Sequence, residues 1–266
     1  GGTVSIQALF LAGYLPGFLI GLALILLSGG IAKRRGYPKE KAVPWRLGLR
    51  IAGGAVPALL TPLIIILPIA FGWVPAHHAA AIAVVWSALV STFVYRTLPV
   101  AGYSQVLRRA ARTSGLVMIL IGAAAAFAES LAYLHVPARL ASLLGSLTGS
   151  QVALLLMVNV VLLALGAMMD MAPLIVIVTP ILLPFAESLG MHPVQFGIVL
   201  LLNLAIGLCT PPVGSTLFVG CAIGDVSIES ASRGLLPFYV AMIAVLLLVT
   251  FVPAISLWLP TLVGGG

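Results

Sequence analysis

The sequence predicts an all-α polytopic membrane protein with about six membrane-crossing helices and one re-entrant helical hairpin. Three observations carry this reading. First, the 266 residues are 62% hydrophobic and only 7% charged, with a mean hydropathy of +1.23; a soluble domain carries about 25% charged residues and covers itself with them. Second, apolar runs recur along the chain, and about 20 apolar residues at 1.5 Å each cross a hydrocarbon core. Third, the runs are continuous rather than alternating, which argues against a transmembrane β-barrel.

The runs are residues 9–27, 49–71, 79–95, 115–134, 152–185, 196–223 and 235–259. Residues 152–185 are interrupted near Asp170 and are long enough for two passes or a re-entrant hairpin. Basic residues choose between these. Lys33, Arg34, Arg35, Lys39, Lys41, Arg46 and Arg50 separate the first two runs; Arg96, Arg108, Arg109 and Arg112 occupy the loop after the third; Arg233 precedes the last. If residues 152–185 enter and leave on one side, these twelve share a face and only Arg139 lies opposite. The positive-inside rule makes that face cytoplasmic and places both ends of the chain outside. The net charge of +7 is therefore a topological signal rather than a nucleic-acid footprint. The chain opens GGTVSIQ without a Met, which reads as a fragment or a processed chain.

An internal repeat adds to the topology. VSIQALFLAGYLPGFLIG from Val4 and VSIESASRGLLPFYVA from Val226 both begin V-S-I and reach G-x-L-P before an apolar span. The charge pattern puts the two copies on opposite faces, the arrangement of inverted repeats in secondary transporters. The second copy then closes a complete half, and the first is the tail of a half that this chain lacks.

Two stretches interrupt apolar sequence with residues that carry chemistry. GLCTPPVGSTLF, residues 207–218, holds Pro211 and Pro212, which remove two backbone donors, between Gly207 and Gly214, with hydroxyls at Thr210 and Thr216. A proline kink is one reading. A functional break is the other: freed carbonyls suit a cation and half-helix N-termini suit an anion, and bare backbone at membrane depth is tolerated where it lines a cavity. The Pro-Pro pair flanked by Gly and Thr favours the break, and Asn203 stands one turn before it. The second stretch is LGAMMDMAPLIVIVTPILLP, residues 165–184, with Asp170 where a hairpin tip falls. A carboxylate at the bilayer centre costs at least about 2.5 kcal/mol. Asp170 serves as N-cap of the second arm with Pro173 in its first turn, as cation ligand or proton carrier, or as both.

Other polar residues read more plainly. Glu129 is a boundary residue; Gly122 and the neighbouring alanines suit close helix packing; Thr113, Ser114 and Asn159 suit interhelical bonds. His77, His78, His135 and His192 lie at span edges, and Trp and Tyr near span ends form an interfacial belt. Cys209 and Cys221 lie in apolar sequence and make neither a disulfide framework nor a zinc set. The chain carries no Walker A, H-E-x-x-H or G-x-S-x-G pattern, so energy comes from an ion gradient or a partner.

Together, LGAMMDMAP…VTPILLP, GLCTPPVGSTLF and VSIE…RGLLPFYVA resemble the large membrane subunit of TRAP transporters, the DctM-like family, over nearly the whole chain and most specifically over residues 166–260. The family's M-D-x-x-P tip matches Met169, Asp170 and Pro173, and its T-P-P-V-G break matches Thr210, Pro211, Pro212, Val213 and Gly214. The resemblance implies two inverted repeats, each with a hairpin and a broken helix, that move by an elevator-type motion in the bacterial inner membrane. It implies Na⁺ as coupling ion without any other cofactor, and import of an anionic organic acid of the C4-dicarboxylate or sialic-acid type. It implies a small four-helix membrane subunit and a periplasmic substrate-binding protein as partners, in a lipid bilayer and without nucleic acid. The implied ion and substrate set is Gly166, Asp170, Pro173, Asn203, Gly207, Thr210, Pro211, Pro212 and Gly214, with Na⁺ on Gly166, Thr210 and Gly214. One departure is VPAHHAAA, with His78 where the family usually has Glu. The implied division is 1–32 as the last helix of the first repeat, 33–50 as a basic cytoplasmic linker, 51–150 as scaffold helices and 151–266 as transport hairpin, broken helix and final helix. Two alternatives stand beside it: a transport-inactive structural or assembly module, and a carboxylate carrier of the same superfamily working without a binding protein. An enzyme is not expected.

Overall fold

A computed structural model describes residues 5–37, 44–135, 139 and 149–263. Among them are ten α-helices and no strand: α1 (Ile6–Arg35), α2 (Trp45–Ala70), α3 (Ala76–Leu89), α4 (Tyr103–Tyr133), α5 (Gln151–Met168), α6 (Met171–Ser188), α7 (Pro193–Leu208), α8 (Ser215–Gly224), α9 (Ile228–Phe251) and α10 (Pro253–Leu262). Seven are long and apolar enough to cross a membrane: α1, α2, α3 with the π-helical turn Val90–Val94 that extends it, α4, α5, α6 and α9.

The repeated V-S-I marks two equivalent helix starts. Ser5 caps α1 by accepting from Ala8 N at 3.4 Å, and Ser227 caps α9 by accepting from Ser230 N at 3.3 Å. Each helix then contains its repeat proline, Pro16 or Pro237. Val4 itself lies outside the described residues. The two helices run antiparallel: Arg34 and Arg35 from the last turn of α1 and Arg233 near the start of α9 line one cleft of about 540 Å³. The charge bookkeeping requires these arginines on one face, and here they share one. Lys39 and Lys41 lie outside the described residues. Lys33, Arg34 and Arg35 belong to the helix rather than to a linker, where they complement the negative end of its dipole. Gly36, at φ +61°, ends it in the left-handed conformation that glycine adopts without strain.

Residues 151–188 form a hairpin. Its arms are α5 and α6, 18 residues each, or about 27 Å long. The Gln151 amide at the start of the first arm donates to the Leu189 carbonyl just past the second. Both ends therefore lie on one side, and the extended Met169 and the cap Asp170 form the tip at the far end.

Helix α7 is the hub. It packs on α1, α5, α6, α9 and α10. Its buried Phe196, Val199 and Leu204 meet Leu162 of α5, Leu174 of α6 and Leu246 and Val249 of α9 in one apolar cluster. Three buried polar links stitch the same helices. Asn203 Nδ2 donates to Asn159 Oδ1 at 2.8 Å, and Asn159 Nδ2 lies 3.3 Å from Thr250 Oγ1. Gln195 Nε2 donates to the carbonyls of Val249 and Thr250 at 3.1 and 3.0 Å. By contrast, α2 and α3 mainly hold each other, through Trp86 Nε1 on the Pro57 carbonyl, while Tyr95, just past the π turn, donates its hydroxyl to the Gly54 carbonyl.

Two expectations about spans are corrected. The last apolar run is not one helix: it breaks at Val252, because Pro253 has no N–H for the Val249 carbonyl, and Gln195 supplies the missing donor. The fourth helix starts at Tyr103, so Arg108, Arg109 and Arg112 are exposed residues of its first turns rather than of a loop. Residues 103–112 contain no Gly or Pro, and Arg and Ala, both good helix formers, make up half of them.

Candidate functional site

The hairpin tip and the helix break are held together by a contact that only glycine allows. A Cβ on Gly207 would lie 2.4 Å from the Gly166 carbonyl carbon and 2.7 Å from Gly166 Cα; one on Gly166 would lie 3.2 Å from Leu204 Cα. The backbones of α5 and α7 therefore touch at this point, as small residues permit in membranes. Just beyond, Val213 N donates to the Ala167 carbonyl at 3.1 Å, tying the break loop to the end of the first hairpin arm.

The break itself is a matter of donors. An α-helix gives each carbonyl a donor four residues on, and a tightened last turn gives one three residues on. Gly207 O loses the first to Pro211 and takes the second from Thr210 N at 2.8 Å. Leu208 O loses both, because Pro211 and Pro212 occupy the two donor positions. The Pro211–Pro212 peptide is cis. Gly214 closes the loop in a space with no room for a side chain: a Cβ there would lie 2.7 Å from both Leu208 O and Thr210 O. Helix α8 begins at the next residue, so its first N–H groups have no intrahelical acceptor. The break thus sets carbonyl oxygens at the end of α7 beside a helix N-terminus.

The structure places the sequence-predicted residues as follows. Gly166, Gly207, Thr210, Pro211, Pro212 and Gly214 come together around the break. Asp170 caps α6, its Oδ1 accepting from Met171 N at 2.9 Å, and is exposed at the tip; Pro173 lies in the first turn. The Thr210 hydroxyl donates back to the Ile206 carbonyl at 2.7 Å. Asn203 is fully buried between α5 and α7, where Val199 O and Asn159 Oδ1 take its amide hydrogens; its Oδ1 has no partner among the described residues. His78 stands exposed at the start of α3 with its ring against His77.

Sequence reasoning missed three contributors. The Leu208 carbonyl is one; its signal is a proline at both donor positions. Tyr239 is another: it sits in the middle of α9 rather than in an interfacial belt, and its hydroxyl donates to the Cys209 carbonyl at 2.5 Å. Gln195 is the third, and it acts outside the site: a lone amide in the first turn of α7, it answers Pro253, more than fifty residues away.

The family model of the tripartite ATP-independent periplasmic transporter DctM component matches residues 2–255. The chain belongs to the DctM family. It is 41% identical to the uncharacterized protein YgiK of Salmonella typhimurium, over 98% of this chain and 60% of that protein. It is 36% identical to the sialic acid TRAP transporter large permease protein SiaM of Vibrio cholerae, over 98% of this chain and 61% of that one. It is 38% identical to the isethionate TRAP transporter permease protein DctMQ of Oleidesulfovibrio alaskensis, over 96% of this chain and 40% of that one. The chain therefore spans about three fifths of the length of the first two relatives and two fifths of the third. DctM proteins are transporter permeases rather than enzymes, and with seven membrane-length apolar helices among its described residues this chain is a multi-pass protein of the bacterial inner membrane.

Proposed function

We propose that the chain supplies the second inverted half of the large permease subunit of a tripartite, Na⁺-coupled importer of an anionic organic acid. One observation carries the reading: Gly166 on Gly207 and Val213 N on Ala167 O join the hairpin tip to a helix that breaks inside an apolar run. Irregular backbone inside such a run is tolerated where protein buries it or where it lines a cavity, and in secondary transporters broken helices form the substrate and ion sites. The donors around the break are oxygens, the carbonyls of Leu208 and Thr210 among them, and hard cations take oxygen ligands. That chemistry fits Na⁺ on the backbone near Thr210, Gly214 and Gly166. The N-terminus of α8 offers N–H groups and a positive dipole end to a carboxylate or sulfonate. Relatives are named for sialic acid, isethionate and C4-dicarboxylate, all anions at neutral pH. In this reading a small membrane subunit and a periplasmic binding protein complete the system. Residues 151–266 form its moving part, and 51–150 its scaffold.

The test is Na⁺-dependent uptake of radiolabelled sialic acid, isethionate or succinate in liposomes containing the permease, its small subunit and its binding protein. Asn caps helices as well as Asp does, so Asp170→Asn separates capping from charge. Uptake is lost in Asp170→Asn and Asp170→Ala, while only the Ala variant loses about 1 kcal/mol of stability with its cap. Full uptake by the Asn variant removes the Asp170 charge from the site. Full uptake by Thr210→Ala removes that hydroxyl.

A further inference from the structure

The bond from the Tyr239 hydroxyl to the Cys209 carbonyl has a specific cause. In a continuous helix, Cys209 O would accept from Val213 N; here Val213 N is turned to Ala167 O of the hairpin. The tighter alternative, a donor three residues on, is Pro212, which has none. One donor is diverted and the other is absent, so docking the hairpin strips Cys209 O of both. A bare carbonyl is costly in an apolar setting, and Tyr239 reaches across from α9 to satisfy it.

We infer that Tyr239 is a positioning residue that clamps the helix break in its hairpin-docked form. Two bonds act in series: Tyr239 to Cys209 O, and Val213 N to Ala167 O. They link α9 to the hairpin through the break loop. The clamp is also exclusive. If the hairpin withdraws, Val213 N loses Ala167 O and is free to return to Cys209 O, competing with the tyrosine for one acceptor. Tyr239 thus favours the docked state, and α9 senses whether the hairpin is in place. The ion-coupling consequence rests on the transport reading above; the clamp itself does not.

The chain carries its own reporter. Cys209 is half-buried and shares with Tyr239 the wall of a cavity of about 490 Å³ between α1, α8 and α9. The experiment uses the whole permease in liposomes, with Cys221→Ser to leave one thiol of this pair, and measures alkylation of Cys209 by N-ethylmaleimide. Tyr239→Phe removes one oxygen and keeps the ring. It raises the alkylation rate about fivefold, the factor implied by one hydrogen bond's net contribution. The neighbouring Val240→Ala, which lies outside that cavity, leaves the rate unchanged. With the docked form dominant, the Na⁺ half-saturation itself moves only about twofold or less, so the tie to the ion is read from protection: saturating Na⁺ slows Cys209 alkylation in both the parent and Tyr239→Phe. An unchanged alkylation rate in Tyr239→Phe overturns the clamp, as does an equal rise in Val240→Ala. Raised alkylation that saturating Na⁺ does not slow overturns its tie to the ion. If the unmodified permease shows no Na⁺-dependent uptake, the transport reading fails while alkylation still decides the clamp.

Discussion

Helices α2 and α7 are both apolar and both rich in residues that disturb helices, yet they live differently. Ile69 is the only buried residue of α2, whereas ten of the sixteen residues of α7 are buried. The glycines of α2, Gly48, Gly53 and Gly54, face open space; Gly197 and Gly207 of α7 would drive a side chain into Leu9 and into the Gly166 backbone. Prolines differ too. Pro57, Pro62 and Pro68 sit inside a continuing α2, because prolines spaced apart leave each carbonyl an alternative donor. The adjacent Pro211 and Pro212 remove both donors of one carbonyl, and the helix ends. Hydropathy says that a segment can leave water; it does not say what the segment touches.

The contrast is easiest to break at Gly207. Gly207→Val must push α5 and α7 apart at backbone level, and overpacking of this kind costs about 3 kcal/mol or more. Thermal unfolding in detergent should show a clearly lowered midpoint, with uptake lost. A native midpoint would mean that the glycine contact is not tight in the membrane.

A middle-sized effect belongs to Gln195→Leu. The change keeps volume but leaves Val249 O, opposite Pro253, without its donor, a loss of about 1–3 kcal/mol. Titration with a denaturing detergent measures it, and an unchanged transition would mean that water or another group serves the carbonyl.

The smallest effect sharpens the other side. Gly54→Ala in α2 meets nothing and removes a flexible residue, so stability should hold or rise by about 0.5–1 kcal/mol. Destabilisation comparable to that of Gly207→Val would show that this face of α2 is covered in the membrane.

Much of the fold was legible in residue order because the bilayer allows few solutions. Runs of apolar residues became helices; Asp170 followed by Pro173 became a cap and first turn; the arginines of α1 and α9 came to one face. Helix ends were harder. The start of α4 was placed too late because charge was taken to mean loop, whereas an arginine-bearing turn is still a good helix. The break at Pro253 was passed over because a single proline is usually absorbed, as the three in α2 are.

The candidate site divides in the same way. Local covalent chemistry determined where the chain must interrupt itself: two consecutive prolines cannot donate, wherever they sit. Which groups answer the interruption is not local. Gly166 meets Gly207, Ala167 takes the Val213 amide, and Tyr239 serves a carbonyl 30 residues away; at the separate Pro253 break Gln195 serves one more than 50 residues away. A stranded carbonyl accepts from any donor that packing brings within about 3 Å. Its need was written in the sequence, and its partner was chosen by how α5, α7 and α9 lie against one another.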